Sequence, residues 1–251
     1  MLGWAGVLLS HQWILEEESM KIKLYSDGAK FEEMVEDYKK GHDGFTTNPS
    51  LMKKGGVTDY MAFAKKVLKE IPDRPVSFEV FSDDFDKMEE EARAISALGN
   101  NVFVKIPVTN TKGQSSLPLI KKLSAEGFKL NITAIFTLDQ VKDVVDVLSE
   151  EGESIVSVFA GRVADTGVDP MPLMKEAAEI CHQKKNVYLL WASTREAFNI
   201  KQAESIGCDI ITVPPSILKK LDLFGKDLDE YSLETVQGFL KDATASGLSI
   251  L

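Results

Sequence analysis

The residue type with the sharpest chemical implication is a lysine inside an apolar run, Asn101-Val-Phe-Val-Lys-Ile-Pro-Val-Thr109. The run is β-branched and lacks a helical period, so it reads as a buried strand. Alternation puts Val102, Val104, Ile106 and Val108 on one face and Phe103, Lys105, Pro107 and Thr109 on the other. A lysine is almost never fully buried unless it is paired or used. Taking an amine out of water favours its neutral form, which can attack a carbonyl. The plainer alternative is a lysine at the wet end of a strand, paired with a carboxylate from a neighbouring strand.

Other strand-like runs place polar residues in comparable positions. In Val76-Ser-Phe-Glu-Val-Phe81, the apolar face of Val76, Phe78 and Val80 leaves Ser77 and Glu79 on the other side. In Leu130-Asn-Ile-Thr-Ala-Ile-Phe136, Ile132, Ala134 and Phe136 are expected to face helices, with Asn131 and Thr133 opposite. Ser157 and Phe159 share a face of a sixth run, Asp27 ends the first and Asn48 closes the second. Each residue alone has an ordinary explanation as a turn or strand residue. Gathered on one side of a sheet they are costly unless they serve one another or a ligand. Cations follow later: Gly161-Arg162 after the sixth run, and Ser193-Thr-Arg195 after the seventh. Arginine stays charged and binds oxyanions in pairs, which suits phosphate; a surface ion pair is the alternative for either one.

The elements that must position these residues alternate regularly. Strands are expected at 22–27, 44–49, 76–81, 101–109, 130–136, 154–159, 186–192 and 209–213. Amphipathic helices are expected near 30–40, 58–70, 84–98 (capped by Ser82 or Asp83), 115–126, 138–149, 171–183 and 196–206, then a short one at 216–220 and a last one at 232–244. Eight strand-then-helix units without a long linker indicate a single (β/α)8 TIM barrel with an extra C-terminal helix. A doubly wound sheet usually has fewer strands, and no Gly-x-Gly-x-x-Gly turn follows the first strand. In a barrel, Asp27, Asn48, Glu79, Lys105, Asn131 and Thr133 come from five successive strands at the face where such enzymes carry their sites. That convergence favours a chemical role for Lys105. The loops after the last strands are where barrels commonly bind phosphate.

Composition fits this reading. The chain has 251 residues, a length suited to one barrel of ~250 residues. Hydrophobic content of 44% and charged content of 27% are those of an ordinary globular protein. A net charge of −10 argues against a nucleic-acid surface, which needs a basic patch. Cys181 and Cys208 are isolated, as reduced thiols in a cytoplasmic protein would be. The scattered His11, His42 and His182 give little support to a metal site. Asp165-Thr-Gly-Val-Asp169 is oxygen-rich but lacks the length and terminal Glu of a calcium loop. Residues 1–19 read as an N-terminal extension outside the fold, with Met20 just before the first strand. Their short apolar run suits neither a secretory signal nor a membrane span of about 20 residues. The barrel itself is expected over 20–251.

The chain resembles the transaldolase family, including its short, fructose-6-phosphate aldolase-like branch. The resemblance rests on Thr46-Thr-Asn-Pro-Ser50, Val104-Lys-Ile-Pro-Val108, Asn131-Ile-Thr-Ala-Ile-Phe136, Phe159-Ala-Gly-Arg162 and Ala192-Ser-Thr-Arg195, in order and spacing. It implies a Schiff base on Lys105, with Asp27 as acid/base and Glu79, with Thr133, holding a water. It also implies that Asn48 and Asn131 bind donor hydroxyls, that Ser157 and Phe159 line the pocket, and that Arg162, Ser193 and Arg195 take the sugar phosphate. The aldolase branch tends to carry Gln where this chain has Glu79 and Tyr where it has Phe159, so both positions point to transaldolase. The length is that of the short branch. Thr109-Asn-Thr-Lys-Gly113 and Asp165-Thr-Gly167 depart from the best-known transaldolases.

The implied reaction moves a dihydroxyacetone unit from a ketose phosphate to an aldose phosphate, as in the pentose phosphate pathway. It needs no metal and no organic cofactor. The competing readings are aldol cleavage that frees dihydroxyacetone and a non-catalytic sugar-phosphate-binding barrel. Neither nucleic acid nor membrane is an expected partner. The C-terminal helix, which commonly links subunits in the short branch, makes a homo-oligomer the expected state.

Overall fold

The computed structural model describes residues 20–250, so the extension expected at residues 1–19 lies outside the described residues. Eight parallel strands close in sequence order into a barrel. They are β1 (Lys23–Asp27), β2 (Gly44–Thr46), β3 (Val76–Glu79), β4 (Val102–Pro107), β5 (Leu130–Ile135), β6 (Ser154–Val158), β7 (Val187–Trp191) and β8 (Ile210–Val213). Between them lie α1 (Phe31–Lys39), α2 (Pro49–Lys54), α3 (Tyr60–Glu70), α4 (Phe85–Ser96), α5 (Leu117–Ala125), α6 (Leu138–Val147), α7 (Ala160–Asp165), α8 (Pro170–Cys181) and α9 (Asn199–Ser205). After β8 come α10 (Pro215–Leu218) and the long α11 (Leu228–Ser246).

Side-chain alternation sorts the core into two parts. Val76, Phe78, Val104, Ile106, Leu130, Ile132, Val156, Leu189 and Ile211 are buried between the barrel and its helices. Tyr25, Phe103, Ile155, Leu190 and Ile210 fill the interior. Tyr25 reaches across to β2, where a Cβ on Gly44 would meet its ring at 2.4 Å; only glycine leaves room for that ring. Above this apolar layer the interior turns polar.

Several boundaries differ from the sequence expectation, each for a local reason. β2 stops at Thr46 because Asn48 accepts a hydrogen bond from Leu51 N and opens α2, a helix the sequence pattern did not suggest. Neither Ser82 nor Asp83 caps α4. Ser82 binds Glu91 and Asp83 binds Thr111, and Asp84 caps by accepting from Lys87 N. α9 starts three residues late because Asn199 Oδ1 accepts from the backbone of Arg195 and Glu196 and holds that stretch as a turn. α7 was likewise not expected, and α11 begins earlier, capped by Asp227.

The expected facing of β5 fails at one point. Ala134 has φ of +61° and the β5–β6 register shifts between Ile132 and Ile135. The irregularity moves the outward position from Ala134 to Ile135, which is fully buried against the helices. Ala134 instead borders the interior cleft, and the Phe136 ring lies 5.6 Å from that of Phe159.

Candidate active site

Lys105 rises from the middle of β4 into the carboxyl-terminal half of the barrel and is 6% exposed. Its Nζ donates to the Thr47 carbonyl at 3.2 Å and lies 3.3 Å from Glu79 Oε2. Glu79 and Lys105 are register neighbours on β3 and β4. The pairing anticipated by the plainer reading of Lys105 is therefore present, and its partner stands in the same cleft. That cleft, of about 540 Å3, opens at the carboxyl ends of the strands. It is lined by Asp27, Asn48, Glu79, Lys105, Thr133, Ser157, Phe159, Arg162, Ser193 and Arg195, together with residues not singled out from sequence.

Asp27, at the end of β1, accepts a hydrogen bond of 2.7 Å from the Thr46 hydroxyl. Burial pushes its carboxyl above the usual range, against the pull of the Lys105 charge and the Thr46 hydrogen bond. A carboxyl held in this way is suited to taking and returning a proton. Thr133 is 2% exposed, and its hydroxyl has no hydrogen-bond partner among the described residues although it borders the cleft. A buried unpaired hydroxyl is costly unless it meets something from the cleft.

Asn48 uses Oδ1 to cap α2, so only its amide nitrogen remains to donate into the cleft. Asn131 does not reach the cleft wall. It is fully buried, donates to Ser77 Oγ at 3.0 Å and accepts from Ser157 Oγ at 2.6 Å. As β5 pairs Asn131 beside Lys105, the amide bridges β3 and β6 beneath the reacting end of the lysine. Its geometry is that of a floor for the site, with Ser157 linking that floor to the cleft.

The two arginines flank the far side. Arg162, on α7, sits over the Phe159 ring at 5.1 Å. Arg195 binds Asp165 through Nε, at 3.0 and 3.1 Å to the two carboxylate oxygens, and through Nη2. Thus the ion pair weighed as the alternative for Arg195 is present, and it ties the β7–α9 turn to α7. Gly161 allows that approach: a Cβ there would lie 1.6 Å from the Ser193 carbonyl oxygen. Ser193 has φ of +63°, so the two non-glycine residues with positive φ among the described residues, Ala134 and Ser193, both border the cleft. Such conformations persist where the surroundings over-determine them, often at functional sites. Asp169 caps α8, and the described residues hold no cluster fit for a metal ion.

Sequence reasoning passed over Thr46, Lys54 and Thr212, which also line the cleft. Strand alternation carried the signal for both threonines. Lys54 lies on the unexpected α2 and had none.

The class defined by fold and site is a parallel (β/α)8 barrel with a cleft in which Lys105 meets two carboxyl groups and a cationic rim. The chain belongs to the transaldolase/fructose-6-phosphate aldolase family: the family's sequence model matches residues 24–250. Curated relatives named as probable transaldolases include one from Thermoplasma volcanium, 39% identical over 204 residues, covering 80% of this chain and 87% of that one. Another, from Nitrosopumilus maritimus, is 35% identical over 228 residues, covering 88% and 94%. A third, from Brucella anthropi, is 34% identical over 231 residues, covering 91% and 100%. Among solved structures, 3-hexulose-6-phosphate synthase from Salmonella typhimurium aligns with TM-score 0.55 at 16% identity, over 79% of this chain and 91% of that one. Dihydrodipicolinate synthase from Rhodopseudomonas palustris aligns with TM-score 0.54 at 12% identity, over 76% and 69%. At such identities these two speak for the barrel fold alone. No helix among the described residues is long and apolar enough to cross a membrane.

Proposed function

We propose that the protein is a transaldolase acting on sugar phosphates through a Schiff base on Lys105. The observation that carries this reading is Lys105 Nζ in the cleft, 3.3 Å from Glu79 Oε2, with the carboxyl of Asp27 lining the same cleft. In its unprotonated form Lys105 attacks the carbonyl carbon of a ketose phosphate such as fructose 6-phosphate or sedoheptulose 7-phosphate. The carbinolamine loses water, with Glu79 and Thr133 as the groups handling that water, and leaves an iminium. Asp27 takes the hydroxyl proton beyond the bond to be broken, that carbon–carbon bond opens, and its electron pair moves to the iminium nitrogen. An aldose phosphate departs and an enamine of dihydroxyacetone stays on Lys105. The enamine carbon then adds to an acceptor aldehyde, Asp27 returns the proton, and water releases the new ketose phosphate. Lysine and carboxylates suffice, so the reaction calls on no metal or organic cofactor.

Arg162, Ser193 and the rest of the Arg195 guanidinium bind the phosphate, a role supported by their place on one rim of the cleft. Asn48 donates to a substrate hydroxyl, while Asn131 and Ser157 hold the floor. The family also includes aldolases that free dihydroxyacetone; Glu79 and Phe159, at the positions that distinguish the branches, favour transfer. Trapping with borohydride and fructose 6-phosphate tests the lysine: an adduct at Lys105 is expected, absent in Lys105→Met. Assays with and without erythrose 4-phosphate separate the reactions, since turnover that ignores the acceptor means an aldolase. Ligand binding without turnover would mean a binding barrel.

We further infer a homo-oligomer, because α11 exposes an apolar row that includes Leu228 (80% exposed), Leu233, Val236 and Phe239 (70% exposed). Leu233→Glu with Phe239→Glu is expected to reduce the size measured in solution. The buried free thiols Cys181 and Cys208 suit a cytoplasmic setting.

A further inference from the structure

We propose that the hydroxyls of Thr46 and Thr212 form a positioning chain for Asp27 that commits its Oδ1 and leaves Oδ2 as the proton-accepting oxygen. This rests on the reading of Asp27 as the acid/base. The chain follows from counting protons. Thr46 has one hydroxyl hydrogen, which it donates to Asp27 Oδ1 at 2.7 Å. The Thr46 and Thr212 hydroxyls are 2.5 Å apart, so Thr212 must be the donor in that contact. Thr212 is anchored in turn, its carbonyl accepting from the Thr194 hydroxyl at 2.7 Å.

The arrangement spans the seam of the barrel. β1 pairs with β2 on one side, with Asp27 opposite Thr46, and with β8 on the other, with Tyr25 opposite Thr212. Both threonines are buried, at 2% and 4% exposure. Two hydroxyls from the flanking strands therefore meet over β1 and fix the carboxyl that ends it. No other hydrogen bond from a described residue reaches the Asp27 carboxylate, so Oδ2 is the oxygen left for substrate. When Oδ2 takes a proton, Oδ1 still accepts from Thr46, and the chain need not rearrange between the two states of the acid. Donors already in place cost no reorganisation during reaction.

Around Asp27, β2 and β8 present hydroxyls, β4 presents Lys105, and β3 presents Glu79, which is bound to Lys105. Lys54 of α2, Arg162 of α7 and Arg195 of the β7–α9 turn line the same cleft, and all three charges stay in place in the threonine variants. Beyond β8, Pro215 of α10 packs on Gly28 and brings no charge. Loss of the Thr46 hydroxyl should thus be felt by Asp27 directly.

The test compares wild type with Thr46→Val, Thr46→Ser and Thr212→Val in the full chain, with the Asp27 carboxyl titrated by carbon NMR. Thr46→Val is expected to lower the Asp27 ionisation constant roughly tenfold, since a donor to the charged form is lost. It should also lower kcat more than tenfold with KM nearly unchanged, move the acidic limb of the kcat profile to higher pH and keep the borohydride adduct on Lys105. Thr46→Ser should restore all of these, and Thr212→Val should shift the limb less in the same direction. An unchanged Asp27 titration and acidic limb in both Thr46→Val and Thr212→Val would overturn the proposal; Thr212→Val serves alone if Thr46→Val does not fold. Failure of the underlying reading looks different. Wild type would then give no adduct, or Asp27→Asn would keep full turnover, whatever the threonines do to the titration.

Discussion

Glu79 and Lys105 stand side by side on β3 and β4, with Oε2 3.3 Å from Nζ, and the carbonyl of Thr47, just past the end of β2, accepts from the amine. Two neighbouring strands thus hold one amine beside one carboxylate; in the proposed mechanism that carboxylate supplies the proton to the departing hydroxide.

Glu79→Gln keeps the size of the side chain but removes its ability to carry that proton. The rate of adduct formation, read by quenching with borohydride at short times, is expected to fall by ~10²–10⁴-fold, the usual worth of a positioned acid or base. An unchanged rate would remove Glu79 from the dehydration step.

Asp27 makes the fold sensitive to pH in a definite direction. Its carboxyl titrates above the ordinary range in the native state, chiefly because it is buried. The native state therefore holds more protons than the unfolded chain at pH values between the ordinary carboxylate range and the raised native value. Stability falls as pH rises through that window. Asp27→Asn removes the titration, so its melting temperature is expected to lose this decline while wild type keeps it. Thermal melts of both proteins across the acidic range provide the check.

Gly161→Ala should loosen the phosphate rim without touching Lys105. A methyl group cannot fit 1.6 Å from the Ser193 carbonyl, so the β7–α9 turn must move. KM for fructose 6-phosphate is expected to rise at least tenfold, while slow trapping of unphosphorylated dihydroxyacetone on Lys105 continues. A KM equal to that of wild type would show that the turn does not set the rim.

Asn131→Ala tests the floor. It strands the Ser77 and Ser157 hydroxyls, each bonded to the amide in a fully buried layer. A loss of about 2–6 kcal/mol is expected, at ~1–3 kcal/mol for each of the two buried groups left unpaired. Denaturant unfolding measures it, and a loss below about 1 kcal/mol would mean that water replaces the amide.

Under the proposed function, capture of the sugar phosphate depends on how Arg195 divides its donors. Asp165 already engages Nε and Nη2 and holds the guanidinium in one orientation. Asp165→Ala is expected to raise KM by a few-fold through lost orientation, despite the gain in net positive charge. A lowered KM would mean that Asp165 competes with phosphate instead of aiming the arginine.

Much of this molecule is legible in its sequence, because strand alternation and helical period are local properties. They mark eight strand–helix units, set Lys105, Glu79 and Thr133 on the inner face, and put the arginines in the last loops. What they give is direction, and depth is another matter. The stagger of strands around a closed barrel decides that Asn131 forms the buried floor while Thr133, two residues on, borders the cleft. Local pattern also assumes an unbroken strand, and the bulge at Ala134 breaks it by one residue, turning Ile135 outward. Contacts between distant segments were out of reach altogether. The ion pair of Arg195 with Asp165 needs α7, a helix too short to show a period. The meeting of Thr46 and Thr212 over Asp27 needs β8 to close against β1. Alternation identified an amine and two carboxylates on one face; closure of the barrel decided which of them touch.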